Sequence, residues 1–161
     1  MKRKRTPTPT PRVPRARGTA AAGPAPAPRN GGREAGPARV VLCERDPAGG
    51  TPIYLALQSI GIEPLRCRDP RGLLEAVAAG RPPDVVICEL AIGSREDIFM
   101  LELLRRVAPT VPLILIASEG SLVTQRLVQG LRPMYYMVGP VEGPELSEAV
   151  EAALARRRAR A

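Results

Sequence analysis

The sequence has no histidine and no tryptophan, and its only aromatic residues are three tyrosines and one phenylalanine. Without imidazoles, the chain has no group for histidine acid–base catalysis, for Ser–His or Cys–His nucleophile pairs, or for histidine metal ligation. Its three cysteines, Cys43, Cys67 and Cys88, are widely spaced and form no Cys-x-x-Cys pair. The sequence therefore predicts reduced, buried thiols, no metal, no cofactor and no enzymatic activity.

Long apolar runs are also missing. No stretch approaches the roughly 18 residues that a membrane span needs. The basic start, Lys2-Arg3-Lys4-Arg5, is not followed by an apolar segment of the kind found in secretory signals. We therefore expect a cytoplasmic protein with no transmembrane segment.

The chain has a net positive charge, and the excess of basic over acidic residues is confined to its first quarter. The 161 residues carry a formal charge of +8, and residues 1–38 contain nine basic residues against one acid, while residues 39–161 are balanced. Residues 1–38 are rich in Pro, Ala, Gly, Arg and Thr, which predicts a disordered basic tail. Such a tail favours contact with polyanions, and Lys2, Arg3, Lys4 and Arg5 are the candidate contacts.

From Arg39 onward, five short apolar runs alternate with five helical patterns, which predicts one domain over residues 39–161. The predicted strands are 40–43, 64–67, 84–88, 113–116 and 135–138, and the predicted helices are 53–60, 70–80, 97–107, 122–130 and 142–158. Strands that are apolar almost throughout indicate a parallel sheet covered on both faces. The pattern therefore predicts a doubly wound α/β fold.

Helical spacing also predicts which side chains face the sheet. For the third, fourth and fifth helices the predicted inner residues are Leu101, Leu104 and Val107, then Leu127 and Val128, then Leu146, Ala149, Val150, Ala153 and Leu154.

In a doubly wound sheet, ligands bind beyond the carboxyl ends of the strands. Five segments of this domain together resemble the receiver domain of bacterial two-component response regulators. They are 40–47 (VVLCERDP), 83–90 (PDVVICEL), 101–107 (LELLRRV), 111–118 (VPLILIAS) and 136–141 (YMVGPV). The resemblance implies a flavodoxin-like five-stranded parallel sheet in the order 2-1-3-4-5.

Receiver domains accept a phosphoryl group on an aspartate. An acidic pair holds Mg²⁺ beside it, and a Thr or Ser hydroxyl and a lysine bind the phosphoryl oxygens. Cations there offset the charge of the transferred group. The matching positions here read Glu44 and Arg45 for the acidic pair, Glu89 for the acceptor, Ala117 for the hydroxyl and Gly139 for the lysine. The resemblance therefore implies a degenerate phosphorylation pocket, that of a pseudo-receiver.

The pocket residues suggest how such a domain could do without the metal. Arg45 would repel Mg²⁺, and we hypothesise that it pairs with Glu89 or Glu44 in the metal's place. Two alternatives remain open. Ser118 could supply the missing hydroxyl, and Glu44, Asp46 and Glu89 could retain a weak Mg²⁺ site.

Receiver domains bind partners through their fourth helix, fifth strand and fifth helix, and Tyr136 matches the switch aromatic of that surface. The candidate contacts here are Gln125, Arg126, Gln129, Arg132, Tyr135 and Tyr136. Tyr and Arg are enriched at interface hot spots. The alternative for Tyr136 is a half-buried residue of the sheet.

The leading hypothesis is a stand-alone pseudo-receiver, a signalling or scaffold protein that binds a protein partner independently of phosphorylation and has no small-molecule substrate. A second is an adaptor that binds a polyanion, either nucleic acid or acidic membrane, through the tail, with Arg156–Arg158 and Arg160 as additional contacts. The alternative reading of those arginines is that they offset the dipole at the C-terminus of the last helix. A third is a functional phosphoacceptor, against which Arg45 and Gly139 argue. Residues 45–50 contain no Gly-x-Gly-x-x-Gly, which argues against dinucleotide binding.

Overall fold

Strands and helices alternate strictly in the computed structural model, which describes residues 36–46, 51–90 and 94–160. The strands are β1 (Val40–Cys43), β2 (Leu65–Cys67), β3 (Val85–Leu90), β4 (Leu113–Ala117) and β5 (Tyr135–Val138). The helices are α1 (Pro52–Ser59), α2 (Pro70–Ala78), α3 (Arg95–Val107), α4 (Leu122–Gln129) and α5 (Gly143–Arg158). All paired strands are parallel, in the order β2-β1-β3-β4-β5, which confirms the predicted architecture.

The first two helices begin where their capping residues predict. The Thr51 hydroxyl accepts a hydrogen bond from the Tyr54 amide at 3.2 Å, and the Asp69 carboxylate accepts one from the Gly72 amide at 2.7 Å. In each case a proline follows the cap, where its fixed φ suits the first helical turn. Gly61, with a φ of 75°, lies just after α1 in the left-handed region that glycine adopts without steric cost.

Apolar side chains fill both faces of the sheet because successive strand residues point in opposite directions. One core layer contains Val41, Cys43, Val86 and Cys88 of the sheet and packs against α2, α3 and α4. The other contains the alternate strand positions and packs against α1 and α5. The five predicted inner residues of α5 are all buried, as expected.

Two predicted inner residues point outward instead. Val107 is 58% exposed, because Ala108 lies four residues after Leu104 and takes the inward position at the end of α3. Leu127 is 37% exposed, while Val128 is buried as predicted. Only Thr124 and Val128, four residues apart on α4, are buried. The face of this helix that packs against the domain is therefore narrower than the sequence predicts.

Within the described residues, no helix is long and apolar enough to cross a membrane. The predicted tail contacts Lys2, Arg3, Lys4 and Arg5 lie outside the part of the chain that the structure describes.

Candidate functional site

A small pocket of about 290 Å³ lies at the carboxyl ends of β1 and β3, where the sequence places the degenerate phosphorylation site. Its lining comprises Cys43, Arg45, Arg68, Asp69, Pro70, Glu89 and Asp97. Two of the five predicted pocket residues, Arg45 and Glu89, are among them. Glu44, Ala117 and Gly139 are not part of the lining, and Arg68 and Asp97 were not predicted.

Glu44 points to the opposite side of the sheet from this pocket. It is 1% exposed, and its carboxylate accepts hydrogen bonds from the Thr51 hydroxyl and from Arg66, with which it forms an ion pair. Arg66 in turn lies over the Tyr54 ring, with 4.4 Å between the guanidinium carbon and the ring centroid. Because Glu44 is one residue beyond Cys43, strand alternation carries its side chain to the α1 face. Glu44 matches an acid that binds the metal in a receiver pocket, but here it is engaged in an ion pair with Arg66.

Arg45 has a different partner from those predicted. Its guanidinium lies 3.0 Å from a carboxylate oxygen of Asp97, in the first turn of α3. Asp97 is held there because its amide donates to the Ser94 hydroxyl, which caps that helix. The hypothesis that Arg45 pairs with Glu89 or Glu44 is therefore wrong. The sequence gives α3 no visible link to β1, so nothing in it points to Asp97.

Glu89 lies inside β3 rather than after it, opposite Ile116 of β4. It is half-buried and lines the pocket. Among the described residues, no cation is paired with its carboxylate. Glu89 therefore faces a pocket in which Arg45 is engaged by Asp97, and Arg68 is the other arginine of the lining.

The other end of the pocket region carries no phosphate-binding group. Ala117 ends β4, and the Gly139 amide donates to its carbonyl at 2.7 Å. A Cβ built at Gly139 would come no closer than 3.5 Å to any neighbouring atom, an ordinary contact, so packing does not force glycine there. Ser118, the alternative hydroxyl, is exposed beyond the strand. The position that a receiver's lysine would occupy is sterically open but bears no cation.

These residues do not fit the Mg²⁺ ion that the receiver resemblance implies. Mg²⁺ needs carboxylate oxygens in near-octahedral geometry. Glu44 is engaged by Arg66, and the cation of Arg45 stands where a ligand is required. Across residues 36–46, 51–90 and 94–160, no group of three or more Cys, Asp or Glu side chains could hold a metal. The alternative site from Glu44, Asp46 and Glu89 is therefore not formed.

The three cysteines lie side by side beneath this edge. Cys43 is in register with Cys67 on one side and with Cys88 on the other, and all three thiols are free. Cys67 is only half-buried, against the expectation of full burial. A hydrogen bond to Cys43, followed by burial, raises the pKa of the Cys67 thiol far above its usual range. Thiolate chemistry is therefore suppressed at this position.

The predicted partner surface is only partly continuous. Gln125, Arg126 and Gln129 are exposed along α4, as expected. Arg132 is also exposed, but it lies past the end of α4, toward the amino end of the sheet. Tyr135 and Tyr136 pack into opposite core layers, because they are successive residues of β5.

An apolar patch on α4 was missed by the sequence reasoning. The helix buries only Thr124 and Val128 against the domain, and Leu122 and Val123 are 74% and 65% exposed. Val138, at the end of β5, is also exposed and lies 3.7 Å from a Cβ built at Gly120, two residues before α4 begins. We call Leu122, Val123 and Val138 the α4 patch. The sequence does contain a signal for this patch. Leu122 and Val123 begin the helix, and neither lies on the side of Thr124 and Val128 that packs against the domain.

Tyr136 is a half-buried residue of the sheet rather than an exposed contact. Its ring packs against the core layer beneath α4, and its hydroxyl is buried with no hydrogen-bond partner among the described residues. Burial raises the pKa of this phenol. Because burial of this hydroxyl is not offset by a hydrogen bond, it destabilises the folded domain.

Tyr136→Phe is expected to raise the free energy of unfolding by about 1–3 kcal/mol, the usual cost of a buried polar group without a partner. Urea unfolding of the two proteins measures the difference. Tyr135→Phe, on the other sheet face, serves as the control and should change stability by less than about 0.5 kcal/mol. A loss of stability in Tyr136→Phe would show that the hydroxyl is bonded after all.

Comparisons with known proteins agree with this fold. No family model matches the sequence, and no curated protein matches it. Solved structures that match include a putative response regulator from Chloroflexus aurantiacus, with 20% identity and a TM-score of 0.65 over 74% of this chain and 98% of that one. A CheY-like response regulator receiver domain protein from Methanospirillum hungatei has 17% identity and a TM-score of 0.66, covering 78% and 99% of the two chains.

A response regulator receiver domain protein from Clostridium thermocellum has 20% identity and a TM-score of 0.67, covering 77% of this chain and 99% of that one. Identities this low speak to the fold and not to the chemistry of individual positions. The strand order, the helix placement and these matches confirm the resemblance seen in the sequence. This chain has the fold of a response-regulator receiver domain.

Proposed function

We propose that this protein is a pseudo-receiver, a signalling or scaffold component that binds a protein partner and needs no phosphorylation to do so. The observation that carries the proposal is the pairing of charges at the carboxyl edge of the sheet. Glu44 is joined to Arg66 and Arg45 to Asp97, while Gly139 supplies no cation. The proposal includes no catalytic activity and a cytoplasmic location.

Phosphoryl transfer to a carboxylate needs positive charge around the oxygens of the transferred group. In a receiver that charge comes from a metal and a lysine. Here the acid needed for the metal is engaged, and Arg45, one of the two arginines that line the pocket, is fixed on Asp97 at 3.0 Å. Glu89 already places a carboxyl group in the pocket without phosphorylation, and this supports a domain held in one signalling state.

The α4 patch is the proposed partner surface, with Gln125 and Arg126 at its edge. Interfaces typically combine an apolar centre with a polar rim. Exposed leucine and valine side chains gathered at one helix end and one strand end are more than scattered surface apolar residues. An acidic, amphipathic partner helix would match both the apolar centre and the positive charge of Arg126.

Incubation with acetyl phosphate and Mg²⁺ tests the phosphorylation-independent part of the proposal. Intact-protein mass spectrometry should show no phosphoryl adduct, while a conventional receiver treated in parallel should be labelled. A stoichiometric adduct that disappears in Glu89→Ala would overturn the proposal, because it would make Glu89 an acceptor.

The partner-binding part is tested by affinity capture with Leu122→Asp/Val123→Asp, followed by reconstitution with the purified partner. Binding should fall by more than tenfold in this variant and persist in Glu89→Ala. Arg71→Glu, on an exposed face of α2, is the matched control for a surface charge change. Equal binding by the double variant and the control would place the interface elsewhere.

A second candidate, polyanion binding through the tail, is favoured by the +8 charge carried by residues 1–38. Replacing Lys2, Arg3, Lys4 and Arg5 with alanine should weaken retention on a heparin column and reduce its salt dependence. Unchanged retention would reject the tail as the source of binding.

A further inference from the structure

A second cavity lies at the amino end of the sheet, opposite the degenerate pocket. Its volume is about 520 Å³, within the range of small-ligand sites. The ends of α3 and α5 and the turns that lead into β4 and β5 surround it. Its walls are partly apolar, and Pro109, Pro112, Pro133 and Met134 contribute to them.

The cavity is lined by five arginines and by no acidic residue. They are Arg105, Arg132, Arg156, Arg157 and Arg160. Arg157 alone approaches a carboxylate among the described residues, with 4.0 Å between its Nε and Asp84. A cleft lined by one sign of charge and apolar walls concentrates its field and attracts ligands of the opposite sign. We call this cavity the arginine groove.

Arg105 builds the floor of the arginine groove. Its guanidinium donates to the carbonyl oxygens of Leu131 and Val111, both at 2.6 Å, and of Arg132 at 3.0 Å. These carbonyls would otherwise present partial negative charge beside the groove. Because Arg105 engages them and forms no ion pair with a carboxylate of the described residues, the floor retains a net positive charge.

Arg132 occupies a backbone conformation that does not suit its side chain. Its φ is 48°, the only positive φ of a non-glycine residue among those described. Glycine adopts this region freely after a helix, whereas a residue with a Cβ is strained there. Strained residues concentrate at ligand sites. Arg132 is exposed and is one of the residues that line the groove.

We propose that the arginine groove binds a compact polyphosphate, either the phosphate chain of a nucleotide or an inorganic oligophosphate. Guanidinium groups bind phosphate oxygens in bidentate fashion and need no metal to do so. The arginines come from three separate segments and converge on one concavity, which suits a short ligand with several negative charges. A nucleic-acid backbone would instead require a row of cations along an open surface.

The arginine groove shares no residue with the α4 patch or with the carboxyl-edge pocket. It adds a ligand-binding site to a domain for which the sequence predicts no small-molecule partner.

Isothermal titration of the full chain with tripolyphosphate, ATP and inorganic phosphate tests the proposal. Tripolyphosphate should bind one site per chain, much more tightly than inorganic phosphate, with an affinity that falls as salt rises. Equal binding of ATP and tripolyphosphate would identify the phosphate chain as the whole ligand. Tighter binding of ATP would show that the apolar walls also hold the nucleoside. Either result supports the proposal.

The variants separate ligand binding from folding. Arg132→Gly removes one guanidinium and relieves the backbone strain, so it should weaken tripolyphosphate binding about tenfold or more while raising the melting temperature. Arg156→Glu/Arg160→Glu should weaken binding further. Arg71→Glu, remote from the groove, should bind as the unmodified chain does.

Three results would overturn the proposal. The first is unchanged affinity in both groove variants. The second is loss of binding when Lys2, Arg3, Lys4 and Arg5 are replaced by alanine, which would place the site in the tail. The third is preference for a single-stranded oligonucleotide over tripolyphosphate at equal phosphate concentration.

Discussion

Arg66→Ala should lower the free energy of unfolding by about 3–5 kcal/mol, a large part of the stability of a domain this size. The substitution leaves the Glu44 carboxylate, which is 1% exposed, buried without its counter-charge. Among the described residues, only the Thr51 hydroxyl would still donate to it. It also removes the guanidinium that packs on the Tyr54 ring. The cost arises because a buried charge without a partner keeps its desolvation penalty and loses the attraction that offset it.

Urea denaturation at neutral pH measures this loss. Arg71→Ala breaks an exposed ion pair with Glu75 and should cost less than about 1 kcal/mol, so it controls for the loss of a surface arginine. Arg66→Ala/Glu44→Gln should recover much of the stability, because an amide without charge is cheaper to bury. A loss in Arg66→Ala no larger than in Arg71→Ala would mean that Glu44 is solvated or has another partner.

The Glu44–Arg66 ion pair illustrates why the sequence predicts the architecture better than the site: its two residues are distant in sequence, whereas the signals for strands and helices are local. Strand positions and the first two helix starts depend on local signals, such as the apolar run of β1 or the Thr51-Pro52 and Asp69-Pro70 caps. The strand order follows from the receiver resemblance. Each of these features is encoded within a few residues or in a repeated pattern.

Side-chain pairing at the carboxyl edge is not encoded locally. Glu44 and Arg66 are 22 residues apart, and Arg45 and Asp97 are 52 apart. The sequence shows that Glu44 and Arg45 follow the same strand. It does not show that alternation sends Glu44 toward α1 while Arg45 extends toward α3. Predicting the pairs would have required the register of β1 with β2 and the first turn of α3.

The two ends of the sheet differ in how their charges are compensated. At the carboxyl end, Glu44 and Arg45 are each paired with a group of opposite sign. At the amino end, the arginine groove contains no acid among its lining residues. A receiver domain places its anion-binding site at the carboxyl end. In this chain two arginines, Arg45 and Arg68, line the carboxyl-edge pocket, whereas five line the groove at the opposite end.

Arg105→Ala should destabilise the domain by about 3 kcal/mol or more, and it tests how the amino end is held together. The guanidinium joins the end of α3 to two turns, through the carbonyls of Val111, Leu131 and Arg132. Removing it leaves three acceptors without their donor, and hydrogen bonds from charged donors are worth more than neutral ones. Burial lowers the pKa of Arg105, but an arginine remains protonated at neutral pH.

The conservative variant separates charge from geometry. Arg105→Lys keeps the positive charge but cannot direct donors to three carbonyls at once, so it should recover less than half of the loss. Arg106→Ala, at the exposed neighbouring position, should change stability by no more than about 0.5 kcal/mol. If Arg105→Ala behaved like Arg106→Ala, the carbonyls would be satisfied by water, and Arg105 would be free to act as a ligand of the groove. If the large loss is found, Arg105 is a structural residue, and anion binding must depend on Arg132, Arg156 and Arg160, whose side chains the fold does not require.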